Sequence, residues 1–347
     1  MTKVFDELLD DADVVYIGED VEHGGYYLVT EGLVARHGQA KVRNFPPDET
    51  ALVGVGMGLS QAGMTPIVEI PYAKYLDCAA DIFAEVVIMN WLTNGTQRAG
   101  MLVRLQGFDR GLFGGNFHTH NMITILPGLD VVCYSNGYDY VRGIRYAMRQ
   151  VRQGRVVMSV DSTHLLNKRH LREGGDDKLL LHMYPSVGFE MPFDEVVFYK
   201  LQNGLVTRSS PGDDPLKVDI LIVSYGNGVV SSLIAMEELN KEGVSAIVID
   251  CPYLSKPPKQ LREHVQGGGF QNIIFADVCK EGAGMPLGGI ANSLQNEGLL
   301  DSMYWRVIGA APTYNPLGNM VTFLDTQNIL QECRLAMFKS GAQATRL

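Results

Sequence analysis

Short apolar runs alternate with helix-length amphipathic segments along most of the chain, and their spacing predicts its elements. Residues 14–18, Val-Val-Tyr-Ile-Gly, are a continuous β-branched and aromatic run that stops at a glycine, as a strand buried on both faces does. Residues 48–62 and 75–92 read as helices, and 66–70, 101–105 and 131–134 as further buried strands. A helix over 138–151 and a strand over 156–160 follow. Continuous apolar strands separated by helices imply a parallel sheet covered on both faces. From about residue 162 to 217 the alternation stops, and Gly174-Gly175-Asp176-Asp177 and Ser209-Ser210-Pro211-Gly212-Asp213-Asp214-Pro215 punctuate the stretch. That is too long for an ordinary loop, so a domain boundary is placed there. The rhythm resumes with strands over 219–226, 246–249, 273–276 and 305–308 and helices over 229–239 and 327–338. The prediction is an α/β protein of two units: residues 1–165, a linker over 166–216, and residues 217–347.

Length agrees, since 347 residues make about two domains at roughly 100–200 residues each. Charge narrows the partners. Lys and Arg total 29 against 39 Asp and Glu, a net charge of −10, which argues against nucleic acid. The one basic cluster, Lys168-Arg169-His170-Leu171-Arg172, is followed closely by Glu173, Asp176 and Asp177 and reads as a solvated linker face. The longest run without a polar side chain, residues 51–59, is far short of the roughly 20 a bilayer needs, so no membrane span is expected. Residues 1–7 turn acidic at once and lack a signal peptide's apolar region. The five cysteines are far apart, form no CxxC and lie mostly in apolar segments. They read as reduced thiols of a cytoplasmic compartment, or of an organelle matrix if the source is eukaryotic, and not as a zinc site.

Three loops at predicted carboxyl ends of strands are where an open parallel sheet would bind a ligand. Gly18-Glu19-Asp20-Val21 puts acids directly after a strand, where capping of the next element accounts for them equally well. In Asn44-Phe45-Pro46-Pro47-Asp48-Glu49-Thr50, two prolines stiffen the approach to a helix whose first turn holds Glu49. The helix dipole by itself explains an acid there. The third loop runs from Gln106-Gly107 through Gly114-Gly115-Asn116-Phe117-His118-Thr119-His120-Asn121. His118 and His120 have no third ligand at a recognisable spacing, so no metal site is assigned. Gly54-Val55-Gly56-Met57-Gly58 lies within a helix, not in a strand-to-helix turn, and reads as close packing rather than a dinucleotide fingerprint.

Taken together, these loops resemble the β subunits of the thiamine-diphosphate-dependent component of 2-oxo acid dehydrogenase complexes, the pyruvate, branched-chain and acetoin enzymes. Ile17-Gly18-Glu19-Asp20-Val21 is similar to that family's G-E-[ED]-V. Gly32-Leu33 with His37-Gly38 is similar to its G-L and Y-G pair, and Pro46-Pro47-Asp48-Glu49 with Gly54 and Ala62-Gly63 to its P-[IL]-[SA]-E…G…AG. Pro66-Ile67-Val68-Glu69, then Arg104 with Gly107, His118-Thr119 and Pro127-Gly128-Leu129-Asp130-Val131-Val132 continue the likeness in order. Val223-Ser224-Tyr225-Gly226 and Glu281-Gly282 extend it more faintly. The chain departs from the family at Pro47-Asp48, at His120, in a shorter stretch after His118 and in a longer linker.

The resemblance implies a transketolase-type pyrimidine-binding domain followed by a transketolase C-terminal-like domain. It implies thiamine diphosphate as cofactor, with Glu49 on the aminopyrimidine ring nitrogen, Glu19 and Tyr75 beside it, and His118 placed for proton work or for receiving a lipoyl group. The diphosphate and its Mg2+ would be held by a partner, because the superfamily's Gly-Asp-Gly motif is missing and the nearest string, Gly212-Asp213-Asp214, sits in the linker. The implied partners are an α-type subunit, a second copy of this chain in an α2β2 assembly, and a lipoyl acyltransferase core. The implied activity is oxidative decarboxylation of a 2-oxo acid with acyl transfer to lipoyl. Two alternatives stay open: a split transketolase-like or synthase subunit, and a non-catalytic partner that keeps the fold.

Overall fold

The computed structural model describes residues 1–107, 126–175, 177–209, 217–282, 284–313 and 323–344. Its first sheet contains β1 (Val14–Gly18), β2 (Val42–Asn44), β3 (Thr65–Ile70), β4 (Met101–Gly107), β5 (Asp130–Val132) and β6 (Val156–Ser162). The strand order is β2-β1-β3-β4-β6-β5 and every pairing is parallel, as the apolar runs predicted. Helices α1 (Thr2–Leu9), α2 (Leu33–His37), α3 (Glu49–Gln61), α4 (Ala80–Leu92) and α5 (Gly137–Arg152) belong to this half. The helix expected over 75–92 is split: a 3-10 segment, Ala73–Ala79, precedes α4.

The second sheet, in order β12-β11-β9-β10-β7-β8, contains β7 (Val197–Gln202), β8 (Leu205–Ser209), β9 (Ile220–Ser224), β10 (Ala246–Asp250), β11 (Asn272–Lys280) and β12 (Tyr304–Ala310). Helices α6 (Gly226–Lys241), α7 (Lys259–Gly267), α8 (Pro286–Asn296) and α9 (Thr326–Ala344) accompany it. The stretch expected to be a linker, 166–216, therefore carries structure. β7 and β8 form an antiparallel hairpin, and β7 pairs antiparallel with β10 at the sheet's edge. Its turn, Asn203-Gly204 with both φ values positive, matches the tight hairpin signal of an Asn-Gly pair. β8 is mostly half-buried, which is why its sequence shows no apolar run.

Alternation along the strands divides the core into two layers. In β9, Ile220 and Ile222 enter one cluster with Val14 and Tyr16 of β1, while Leu221 and Val223 enter the other with Ile17. Each layer thus runs through both halves of the chain. The halves are also joined by main chain: Cys133 N–H donates to the Pro252 carbonyl at 2.8 Å, and Leu254 N–H donates to the Val131 carbonyl at 2.9 Å. The free edge of β5 is covered in this way. Of the five cysteines, none is in a disulfide; four are buried and Cys78 is exposed.

Candidate active site

The carboxyl ends of β1 and β3 and the start of α3 meet at one place, and local sequence explains how. Gly18 ends β1 where a side chain could not fit, since a Cβ there would lie 2.9 Å from the Glu69 backbone oxygen and Cβ and from Val21. The Phe45 N–H donates to the Gly18 carbonyl at 2.8 Å, and Asn44 and Glu22 exchange reciprocal bonds of 2.8 and 3.0 Å between main chain and side chain. These contacts bring the Pro46-Pro47 segment beside the loop after β1. Asp48, where the family pattern has a small residue, caps α3: its carboxylate accepts the Ala51 N–H at 2.9 Å. Glu49 is therefore the first helical residue, half-buried and within the reach of the helix dipole.

Glu19 and Glu49 are brought together here. The Glu19 carboxyl is held above its usual range, first by burial and then by the negative charge of Glu49. An aromatic wall stands beside the pair. Tyr26 and Tyr72 meet edge-to-face at 5.6 Å between ring centroids, and Tyr72 and Tyr75 likewise at 5.5 Å. The Tyr26 hydroxyl is pushed up by burial and by the Glu19 charge, which places it near that carboxylate. Tyr75 remains 41% exposed, leaving part of its ring open to a ligand. The Thr50 hydroxyl donates to the Cys78 carbonyl at 2.8 Å and ties the start of α3 to the segment carrying Tyr75. His118 lies outside the described residues. Tyr26 and Tyr72 were not singled out from sequence; the tyrosines three apart at 72 and 75 were the available signal.

Two further motif residues prove to be internal supports. Arg104 on β4 binds Glu69 on β3 and Asp161 on β6, each at 2.6 Å, with Glu69 and Arg104 wholly buried. The Tyr16 hydroxyl on β1 also donates to Glu69, and Gln106 donates to it at 3.2 Å. This buried lattice fixes the carboxyl ends of β1, β3, β4 and β6 relative to one another. Among the described residues no group of three or more His, Cys, Asp or Glu could hold a metal ion.

Residues 1–165 match the transketolase pyrimidine-binding domain family. The solved structure of a split-gene transketolase, described as an inactive β4 tetramer, superposes with a TM-score of 0.69 over 97% of this chain and 96% of its own, at 15% identity. Transketolase from Leishmania mexicana superposes with a TM-score of 0.59 over 97% of this chain and 45% of its own, at 12% identity. The architecture is that of transketolase-type proteins: a pyrimidine-binding domain followed by a second α/β domain. Among curated relatives, the 2-oxoisovalerate dehydrogenase subunit beta of Bacillus subtilis is 30% identical over 283 residues, covering 80% of this chain and 77% of its own length. The pyruvate dehydrogenase E1 component subunit beta of Staphylococcus epidermidis is 30% identical over 250 residues, covering 70% and 67%. The chain belongs to the family of 2-oxo acid dehydrogenase E1 β subunits, as a diverged member of that thiamine-dependent group.

Proposed function

We propose that this chain is the β-type subunit of a thiamine-diphosphate-dependent 2-oxo acid dehydrogenase that decarboxylates a 2-oxo acid and passes the acyl group to a lipoyl carrier. The observation that carries the reading is the pairing of Glu19 with Glu49 beside an aromatic wall at the carboxyl ends of β1 and β3. These residues fit the pyrimidine half of thiamine diphosphate: a half-buried carboxyl able to hold a proton toward a ring nitrogen, a second carboxyl beside it, and an open tyrosine ring to lie against. When bound, the cofactor supplies a carbon nucleophile for the 2-oxo group and an electron sink for the decarboxylation.

The chain's own residues do the rest. Glu49, oriented by the Asp48 cap, meets the ring nitrogen, with Glu19 beside it, its carboxyl held above the usual range by burial and by the Glu49 charge. Tyr72 and Tyr75 orient the ring, and His118, outside the described residues, serves acyl transfer. The diphosphate and its Mg2+ belong to an α-type partner, because the chain has no Gly-Asp-Gly string. The packed pair α3 and α4 leaves Val55, Trp91 and Leu92 exposed, apolar surface available for that partner.

Calorimetric titration with thiamine diphosphate and magnesium tests the split site. The chain alone is expected to show no saturable binding, and binding is expected once the α-type partner is added. Tight, magnesium-dependent binding to the chain by itself would refute the reading.

A further inference from the structure

A cavity lies away from Glu19, Glu49 and Tyr75, none of which lines it. Its volume is about 690 Å3, inside the roughly 300–1,000 Å3 range of small-molecule sites. It opens where β6 ends at Ser162, where α5 begins, and where the segment 165–169 passes. The basic cluster that sequence alone assigned to a solvated face is divided here. Arg172 turns to Glu237 at 2.6 Å, while Lys168 and Arg169 line the cavity with Lys3. Among the described residues, none of these three cations is ion-paired with a carboxylate. Of the carboxylates on the wall, Asp161 is already held by Arg104 and Glu31 is exposed.

Several polar groups at this place are donors without acceptors. Helix α5 is capped at Asn136, whose side chain accepts the Asp139 N–H. The amides of Gly137 and Tyr138, the first two helical positions, are left without an acceptor among the described residues. Both residues line the cavity, and a Cβ on Gly137 would meet nothing within 4 Å, so space is open at the helix end. Ser162, 5% exposed and also on the wall, has a buried hydroxyl with no hydrogen-bond partner among the described residues. Unfilled helix amides, an unpaired buried hydroxyl and three unpaired cations around one void form a built anion site. Tyr27, Tyr138 and Tyr184 add an aromatic wall.

We propose that this cavity is a second ligand site that takes a phosphorylated small molecule of nucleotide size, with phosphate at the start of α5 and the organic body against the tyrosines. The site belongs to this chain alone and does not depend on the cofactor reading above.

Calorimetric titration of the purified full chain with ADP and with inorganic pyrophosphate tests it. Saturable binding of both is expected, ADP the tighter, and weakened by added salt. Gly137→Asp places a carboxylate at the helix start, where it suits the dipole and the open space, so melting should hold while ADP binding weakens by about tenfold or more. Lys168→Ala with Arg169→Ala should do the same, and Glu49→Gln should leave ADP binding unchanged. Absence of saturable binding by either probe would overturn the proposal, as would binding that survives both the Gly137→Asp and the Lys168/Arg169 variants. Equal affinity for ADP and pyrophosphate would overturn the assignment of the tyrosine wall.

Discussion

Glu69 and Arg104 meet at 2.6 Å with no part of either side chain reaching solvent, and together they span neighbouring strands β3 and β4. Asp161 closes on the same guanidinium from β6, also at 2.6 Å. Burial disfavours the Arg104 charge, but the two carboxylates outweigh it and hold the guanidinium protonated. The strand ends that carry the Glu19–Glu49 site are thus set by charges that exist only as a group.

Removing the cation should be costly. Arg104→Met leaves two buried carboxylates without a counter-charge, a change worth about 3–5 kcal/mol where a buried ion pair is broken from one side. Urea unfolding of the purified chain measures it. A loss below about 1 kcal/mol, the scale of an exposed pair, would mean that the network does not support the sheet.

Glu49→Gln should leave the fold intact and lower the Glu19 titration. Burial is the larger cause of the raised Glu19 value and stays in place; the Glu49 charge is the second cause and is removed. NMR titration of the Glu19 carboxyl should therefore show a shift toward, but not fully to, the ordinary glutamate range. In the assembled enzyme the same variant should lose decarboxylation measured with an artificial acceptor. Activity within about threefold of the parent, roughly 0.6 kcal/mol of barrier, would remove Glu49 from the mechanism.

The parallel sheet was readable because its strands are buried on both faces and appear as unbroken apolar runs. The strand end before Glu19 and the helix start at Glu49 were readable because such places leave local marks: a glycine closing 14–18, and two prolines and a capping acid before 49. What local pattern could not give were contacts between distant positions. Tyr26 and Tyr72 are 46 residues apart in number yet share an edge-to-face contact. Lys168 and Arg169 sit beside nearby acids in the sequence, but the chain carries them to a cavity wall. The β7–β8 hairpin escaped detection because an edge strand with half-buried side chains shows no apolar run.

Asp250 makes stability depend on pH between the two halves. Its carboxyl is fully buried and accepts a hydrogen bond from Ser135, and burial pushes it up to about 8, with Asp139 adding to the shift and Arg208 opposing it. The folded chain therefore holds this proton where the unfolded chain, titrating near 4, has released it. Stability contributed by Asp250 is present at low pH and lost as pH rises toward 8, by at most about 1.4 kcal/mol per pH unit. Asp277, pushed up to about 6 by burial, titrates lower, and in the interval from pH 6.5 to 8 comparison with Asp250→Asn isolates Asp250 from the other shifted groups. Melting temperature should fall across that interval in the parent and stay flatter in Asp250→Asn. Equal slopes would show that Asp250 does not hold the proton.

Asp130 supplies a second link between the halves, and its strength can be isolated. It lies at the start of β5, accepts the Tyr253 hydroxyl at 2.7 Å from the other half, and takes the Arg155 guanidinium through bonds of 2.5 and 2.7 Å. Tyr253 also sits in the antiparallel bridge to Val132, so its backbone is held whatever its side chain does. Tyr253→Phe should then cost about 1 kcal/mol, the net worth of one hydrogen bond, with packing preserved. Asp130→Ala should cost more, because it leaves both the hydroxyl and the guanidinium without their acceptor. If the two side chains act together, a double-mutant cycle on unfolding free energy should return a coupling between about 0.5 and 3 kcal/mol. Additivity within about 0.3 kcal/mol would show that the halves are joined by the main-chain bridge and the shared core layers, and not by this hydroxyl and carboxylate.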